Sequence, residues 1–363
     1  MLLLALILAG GPLSSQETYR SHSSYDDCII PCYISLAGSA GPSAEYNFLF
    51  QVLLSRIQWS CRCRLQFVDR DEFGKAQLGA GSSTRRSILA VSSDALIRDD
   101  EVQYLRDAPN GQDTVFLHLG DETFLHTDES LYKGAVLTMR NYYHKNMSES
   151  SLEYLRSKQL QSAMPNVMWL PLGTAKLVPL PPAALPEVFQ QRTLLWSWAG
   201  SVGGRHERDD MLKALKESSR YEELLALGRL VVAPSFAGAD CGGEGSLSKW
   251  EYSALLHNTK FMPLPSGVSP EQYRVWESIE AGCIPIVLAE RVRHDGILYP
   301  LYYLGFKYME LDNWEKLPSL LWQLHDGVTA HLHQYESMSE HNSRLWLHVK
   351  NRIADEIADV ACS

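Results

Sequence analysis

Residues 258–288 read NTKFMPLPSGVSPEQYRVWESIEAGCIPIVL, and this stretch decides the fold class. Thr259 to Leu264 is an apolar run of strand length, and Pro265, Ser266 and Gly267 end it with turn chemistry. A helix is predicted from about Pro270 to Ala281. Ser269 has N-cap chemistry, Pro270 suits the first helical position because its missing N–H costs nothing there, and Gln272 completes capping-box spacing. Gly282 supplies the stop, and Cys283 to Leu288 is apolar and β-branched, the pattern of a second buried strand. Strand, turn, helix and strand make one βαβ unit of a parallel sheet.

On that helix Arg274, Glu277 and Glu280 follow one another at three-residue spacing and share a face. Read blandly, they are a solvated face with helical ion pairs. The turn ahead of them points instead to a ligand. The backbone N–H groups of Ser266 to Val268, at a helix N-terminus, favour an anion, and Arg274 adds a forked donor suited to a pyrophosphate. A carboxylate deeper on the helix can grip a vicinal diol such as that of ribose. Ser266, Gly267 and Arg274 are therefore expected to hold a diphosphate, Glu277 the ribose, and Glu280 either Arg274 or the sugar.

Working outward, WAGSVGGRHERDDML at 198–212 sets Gly200, Ser201, Gly203 and Gly204 between a strand-like and a helical segment, with Arg205 and Arg208 alongside. Such a loop can approach phosphate or sugar closely, although as structure alone it is an ordinary strand-to-helix turn. Gly200, Ser201 and Arg205 join the donor-binding candidates. Upstream, TVFLHLGDE puts His118, Asp121 and Glu122 at the end of a buried strand, where a carboxylate could act as a general base; the bland alternative is a turn or cap. Asp121 is preferred to Glu122 for that role. Arg140 and Asn141, again just past an apolar strand, are candidates to hold an acceptor together with His118.

Apolar segments near 29–36, 65–68, 87–91, 114–119, 135–139 and 167–170 alternate with helical or polar stretches, which is an α/β pattern. KLVPLPPAALPE at 176–187 carries four prolines and reads as a semi-rigid link. Beyond it, LLWSWAG, RLVVAP and the opening block repeat the alternation, and Trp314 to Val360 is mostly helical. The division is then a leader or signal peptide at 1–15, an acceptor-side α/β domain at 25–175, a linker at 176–190, a nucleotide-sugar-binding α/β domain at 191–330 and a helical tail at 331–363. Ligands of such a fold lie in the cleft at the carboxyl ends of the strands.

PSG, YRVWE and EAGCIPIV in the opening block resemble the C-terminal motif of the exostosin-like glycosyltransferases, and more closely the ribitol-phosphate xylosyltransferase family. HLGDE at 118–122, RNYY at 140–143, PLG at 171–173 and WAGS at 198–201 occur in the order that resemblance leads one to expect, so that it covers roughly residues 110 to 290. Ser266 departs from it, being neutral where exostosins proper are basic. The resemblance implies a GT-B plan, two Rossmann-type domains facing a cleft with a helical C-terminus crossing back. It also implies a UDP-sugar donor, with xylose as the candidate sugar, and inverting transfer to a glycan or polyol-phosphate hydroxyl. No cofactor beyond the co-substrate and no metal is expected.

With 363 residues and 45% hydrophobic content the chain can bury two cores of ordinary size. A formal charge of −10 argues against nucleic acid as a partner and against polybasic attachment to membranes. The apolar run from Leu2 to Ala9, followed by small residues, fits a short secretory signal and is too short to span a bilayer. The close pairs Cys28/Cys32 and Cys61/Cys63 suit disulfides in an oxidising lumen, Asn146-Met147-Ser148 is a glycosylation sequon, and Cys283 reads as a small core residue. Together these place the chain in the secretory pathway, in the Golgi or the ER lumen. Two other readings compete. Asp69 and Asp71 have the Asp-x-Asp spacing of a metal-dependent GT-A transferase, and the fold also suits a glycan-binding relic without chemistry.

Overall fold

The computed structural model describes residues 31–37, 48–59, 64–69, 87–92, 114–122, 132, 134–143, 147, 149–156, 167–175, 188–233 and 246–361. The leader, the proline-rich link at 176–187, the sequon Asn146, Asp71 and all cysteines except Cys32 and Cys283 lie outside them.

The first half builds one sheet from β1 (Pro31–Ala37), β2 (Arg64–Asp69), β3 (Ser87–Ser92), β4 (Thr114–Leu119), β5 (Leu137–Arg140) and β6 (Met168–Trp169). Two helices of this half are described, α1 (Ser55–Trp59), which continues a π-helical turn over Leu49–Leu54, and α2 (Ser150–Glu153). The spatial order is β2-β1-β3-β4-β5-β6 and every pairing is parallel. The second half begins with β7 (Leu194–Ser201), α3 (His206–Glu217), α4 (Tyr221–Leu227), β8 (Gly228–Ala233), α5 (Lys249–His257) and β9 (Thr259–Pro263). It continues through α6 (Tyr273–Glu280), β10 (Ile284–Leu288), α7 (Ala289–Val292), α8 (Tyr299–Leu304) and β11 (Met309–Leu311). Two helices close the chain, α9 (Leu317–Gly327) and α10 (Leu332–Ala361). The second sheet, β11-β10-β9-β7-β8, is again parallel throughout. Two parallel sheets covered by helices, with a helical C-terminus, constitute the GT-B fold.

Strand order positions the site. The chain leaves β7 for β8 on one side and returns to β9 on the other, so β7 and β9 flank the point where the winding direction reverses. The connections leaving the carboxyl ends of two such strands diverge and open a crevice between them. Here they are the loop after Ser201 and the turn at Pro265–Ser269, far apart in sequence but made neighbours by the β7–β9 pairing of Trp196 with Phe261.

The boundary between sheets is not a boundary between cores. Residues of the first sheet (Leu117, Met139, Trp169) and of the second half (Met262, Trp276, Val287) belong to one buried apolar cluster. Trp276 on α6 stacks on Trp346 of α10 with centroids 4.8 Å apart and meets Trp169 of β6 at 5.7 Å, while Phe48 covers the far face of Trp346 at 5.6 Å. Large aromatic rings bury 150–250 Å² apiece on general grounds, so a stack of about this size holds the halves together firmly. Helix α10, roughly 45 Å long at 1.5 Å per residue, buries Tyr335, Ser339, Asn342, Trp346, Val349 and Ile353, a stripe at spacings of three and four. It carries the chain back to the first half, where Arg352 Nη2 and His348 Nε2 bond the carbonyls of Tyr154 and Leu155 at 3.1 and 3.0 Å.

One predicted element begins elsewhere. Helix α6 starts at Tyr273 rather than near Pro270, its N-cap is Gln272, and no side chain caps it. The reason is tertiary: the Ser269 N–H bonds Glu122 at 3.0 Å and the Glu271 carboxylate accepts the Leu172 N–H at 2.9 Å, so the stretch before Gln272 is pulled across the seam. The capping box forms instead at Ser248 and Glu251 on α5, where both reciprocal bonds are present. Gly282 ends α6 as expected, with φ of 75° and its N–H on Ile279. Cys283 is fully buried in the shared core.

Candidate functional site

The site is best built from β7 outward. Trp196 and Trp198 are fully buried along this strand, and at its carboxyl end the backbone opens through Gly200 into the loop that leads to α3. Arg208, on the first turn of α3, and Arg274, on the first turn of α6, both lie over the Trp198 ring, at 6.0 and 5.6 Å from its centre. The two guanidinium groups share one acceptor, the Gln272 side-chain oxygen, at 3.1 Å from Arg208 Nη2 and 2.9 Å from Arg274 Nη1. Arg208 Nη1 also donates to the Ser201 carbonyl at 2.8 Å, and Arg274 Nε to that of Ala199 at 2.7 Å.

Two glycines make this arrangement possible. A Cβ on Gly200 would stand 2.4 Å from Arg274 Nη2, and one on Gly267 would stand 2.9 Å from Arg208 Nη2. Each arginine therefore passes close to the backbone of the opposite turn, and a side chain at either glycine would have to displace the guanidinium beside it.

Arg205 joins the pair. It caps α3, and its charge, after burial and the charge of Arg274, helps push the Arg208 guanidinium down to about 10. Among the described residues none of these three arginines forms a salt bridge. Arg208 is 6% exposed, and its Nε has no hydrogen-bond partner. Three cations so close, one of them buried, form an arrangement that an anion would relieve.

The turn itself departs from expectation. The Ser266 N–H and Oγ–H both donate to the Glu207 carboxylate, at 2.9 and 2.6 Å, the Gly267 N–H bonds the Ser269 carbonyl, and the Ser269 N–H bonds Glu122. The donors expected to cradle a phosphate at Ser266 and Gly267 are thus spent on the protein's own oxygens. The anion-seeking groups are the arginines above them.

The acids on α6 are also committed elsewhere. Glu277 is 1% exposed; it accepts the Ala175 N–H at 3.1 Å and the Tyr252 hydroxyl at 2.7 Å, so the expected free carboxylate for a ribose diol is a buried strut between α6, α5 and the segment after β6. Glu280 binds Lys350 at 2.6 Å and the Trp346 indole, both on α10. It does not orient Arg274, whose partners lie at the other end of the helix.

On the facing side, Asp121 is 2% exposed and bonded to Arg140 Nη2 at 3.0 Å. Asn141 is the hub of the same network, accepting the Gly120 N–H and donating to the Leu170 and Pro171 carbonyls. His118 Nδ1 lies 2.7 Å from the Tyr132 hydroxyl inside the core. Glu122 differs from all of these: partly exposed, it stands on the seam, holds Ser269 and lies near enough to Arg208 for its charge to raise that group's pKa. Of the two acids, Asp121, the expected base, is bonded to Arg140, whereas the charge of Glu122 reaches Arg208.

Glu207 and Glu271 are not singled out in the sequence, Gln272 figures there only for its capping-box spacing, and Arg208 is noted there without a role. A signal for Arg208 was present, since it follows Arg205 by three residues at the start of a helix. Asp69 ends β2, the outermost strand of the first sheet, three strand spacings or roughly 14 Å from β4. Among the described residues no group of three His, Cys, Asp or Glu side chains is placed to hold a metal ion, and no helix is long and apolar enough to cross a membrane.

No family profile matches the chain. By sequence it is 26% identical over 159 residues to ribitol-5-phosphate xylosyltransferase 1 of Danio rerio, a match covering 42% of this chain and 35% of that protein. The chain thus spans about a third of the length of the curated relative it matches. By structure it resembles an alpha-glucosyltransferase solved with UDP and a 13-mer DNA containing an HMU base, with a TM-score of 0.51 and 9% identity over 92% of this chain and 100% of the other. At that identity the likeness is one of fold, and the fold is GT-B.

Proposed function

We propose that this chain is a glycosyltransferase that draws its sugar from a nucleoside-diphosphate donor. The observation that carries the reading is the trio Arg205, Arg208 and Arg274, which forms no salt bridge among the described residues, at the crevice between β7 and β9. A diphosphate supplies the missing charge, and guanidinium forks match its oxygens. The sequence relative, a xylosyltransferase, and the solved alpha-glucosyltransferase, which binds UDP, support a UDP-sugar as donor. Xylose as the sugar and a polyol phosphate or glycan as the acceptor rest on the sequence relative alone.

The chemistry divides between the two sides of the seam. Glu122 removes the proton from the acceptor hydroxyl as its oxygen attacks the anomeric carbon, and the bond from that carbon to the diphosphate breaks with its electron pair leaving on oxygen. The three arginines stabilise the charge gathering on the departing UDP, most strongly in the transition state. With cations already in place, the transfer is read as metal-independent, and attack opposite the leaving group makes it inverting.

Thermal unfolding with UDP, UMP and a panel of UDP- and GDP-sugars tests the donor. UDP at 100 times its Kd should stabilise the chain by about 2.7 kcal/mol, and Arg208→Ala should abolish that gain. If no nucleotide shifts the transition of the native chain, the proposal fails; if UDP binds but no sugar is released or transferred with or without EDTA, the catalytic part fails alone.

A further inference from the structure

Glu207 lies in the first turn of α3 immediately before Arg208, and its carboxylate is tied down more thoroughly than a helix cap requires. Oε1 accepts the Ser266 hydroxyl at 2.6 Å and Arg291 Nε and Nη2 at 3.0 and 2.7 Å. Oε2 accepts the Ser266 N–H at 2.9 Å and the Trp314 indole N–H at 3.1 Å. The side chain is 14% exposed. Burial acts to raise its pKa, but the hydrogen bonds from Ser266, the charge of Arg291 and the Trp314 indole bring it below the usual range, so the group stays ionised and is no proton carrier near neutrality.

The register of these contacts gives them a purpose. Glu207 bonds Ser266, and the next residues along, Arg208 and Gly267, are close enough that a Cβ on Gly267 would stand 2.9 Å from Arg208 Nη2. Two adjacent residues of α3 are thus matched to two adjacent residues of the turn. Against this, Arg208 is repelled by Arg274 and Arg205, and both Arg208 and Arg274 converge on one Gln272 oxygen. Something has to hold the start of α3 against that repulsion before any anion arrives.

We infer that Glu207 is a positioning residue for the diphosphate site: by bolting the first turn of α3 to Ser266, Arg291 and Trp314, it keeps Arg208 over Gly267 and preassembles the arginine trio. The inference rests on the donor reading above and gives the geometry of the diphosphate site to a contact that never touches the ligand. Preassembly of this kind saves the ordering cost that a loose site would incur on binding.

The test compares UDP with UMP by titration calorimetry on the native chain and on Glu207→Gln, Glu207→Asp and Ser266→Ala, each checked for folding by circular dichroism. Gln turns an amide NH₂ toward groups that are all donors, so Glu207→Gln should weaken UDP at least about tenfold, the effect of one lost charged contact, and UMP less than about threefold. Glu207→Asp should lie between native and Gln, and Ser266→Ala, which keeps the backbone donor, should show the same UDP-selective loss at about threefold. Equal weakening of UDP and UMP, or unchanged UDP affinity in a variant of lowered melting temperature, makes Glu207 a plain structural strut and overturns the inference. Should Glu207→Gln not fold, Glu207→Asp and Ser266→Ala decide by the same ratio. UDP bound equally well by native chain and variants removes only this inference, whereas no UDP binding by the native chain removes the donor reading with it.

Discussion

Across the seam, two groups of charged residues are handled in opposite ways. On the first sheet, Asp121 and Arg140 are both nearly inaccessible and neutralise each other at 3.0 Å, with Asn141 tying the neighbouring backbone together. On the second, Arg205, Arg208 and Arg274 crowd one crevice with no salt bridge among the described residues, and burial together with mutual repulsion pushes Arg208 down to about 10. Both groups sit at carboxyl ends of parallel strands, where ligands are expected. A satisfied buried network contributes to the architecture, while an unbalanced one stores an affinity for what is missing. Proximity to the cleft alone would not have told them apart.

The contrast can be broken by three variants. Glu122→Gln should lower kcat by about 10²–10⁴-fold, the range for a lost general base, with UDP affinity held within about twofold; a variant of native turnover places the base elsewhere. Arg140→Ala should cost about 3–5 kcal/mol in urea unfolding, because it strips a buried carboxylate of its counter-charge. A loss under about 1 kcal/mol would mean that the first-sheet network is not structural. Arg274→Ala should do the reverse: it should weaken UDP by about 10–100-fold, as expected when a charged hydrogen-bonding group is removed, and destabilise the ligand-free chain less than Arg140→Ala does. If the two variants exchange these signatures, the functional assignment of the two sides is inverted.

The smallest effect sharpens the picture of the seam itself. Glu271 is 1% exposed, and burial raises its pKa to about 7 from an ordinary 4.5, against hydrogen bonds from Leu172, Trp276 and Trp169. The folded chain keeps a proton there that the unfolded chain releases, so between pH 4.5 and 7 this group makes stability fall as pH rises. His257 acts oppositely. Burial, helped by Arg192, lowers its pKa from 6.5 to about 4, so the unfolded chain takes up a proton first and stability is lost as pH drops through that interval. Unfolding free energies of the native chain and Glu271→Gln should therefore diverge in the variant's favour as pH rises from 4.5 to 7, by at most about 1.4 kcal/mol per pH unit. A constant difference would show that Glu271 is ionised throughout.

Much of the fold was legible because it depends on local periodicity. The segments read as strands at 65–68, 87–91 and 114–119 fall on β2, β3 and β4 within a residue or two, and those at 194–200 and 259–264 fall on β7 and β9. The short β11 and α4 went unread, since three apolar-polar residues or two helical turns carry little periodic signal. The site was legible in residue type but not in partner. Arg274 and Gly200 were singled out and do lie together, and Gly267 lies beside Arg208, whereas Ser266, Glu277 and Glu280 were expected to face a ligand and instead bond Glu207, Ala175 and Tyr252, and Lys350. A carboxylate on a helix face looks the same in sequence whether it awaits a diol or an indole N–H.

By itself, then, the sequence determined the alternation of strand and helix, the two turns rich in glycine and proline, and the arginines that follow them, because these are written in nearest-neighbour spacing and turn chemistry. Only the tertiary structure decided that β7 lies beside β9, which brings Arg208 to Gly267 and Arg274 to Gly200, and that the carboxyl groups of Glu207, Glu271 and Glu277 bond the protein itself. The reason is physical: strand order and the pairing of buried charges are long-range choices, settled by which polar groups would otherwise be left unsatisfied in the packed interior.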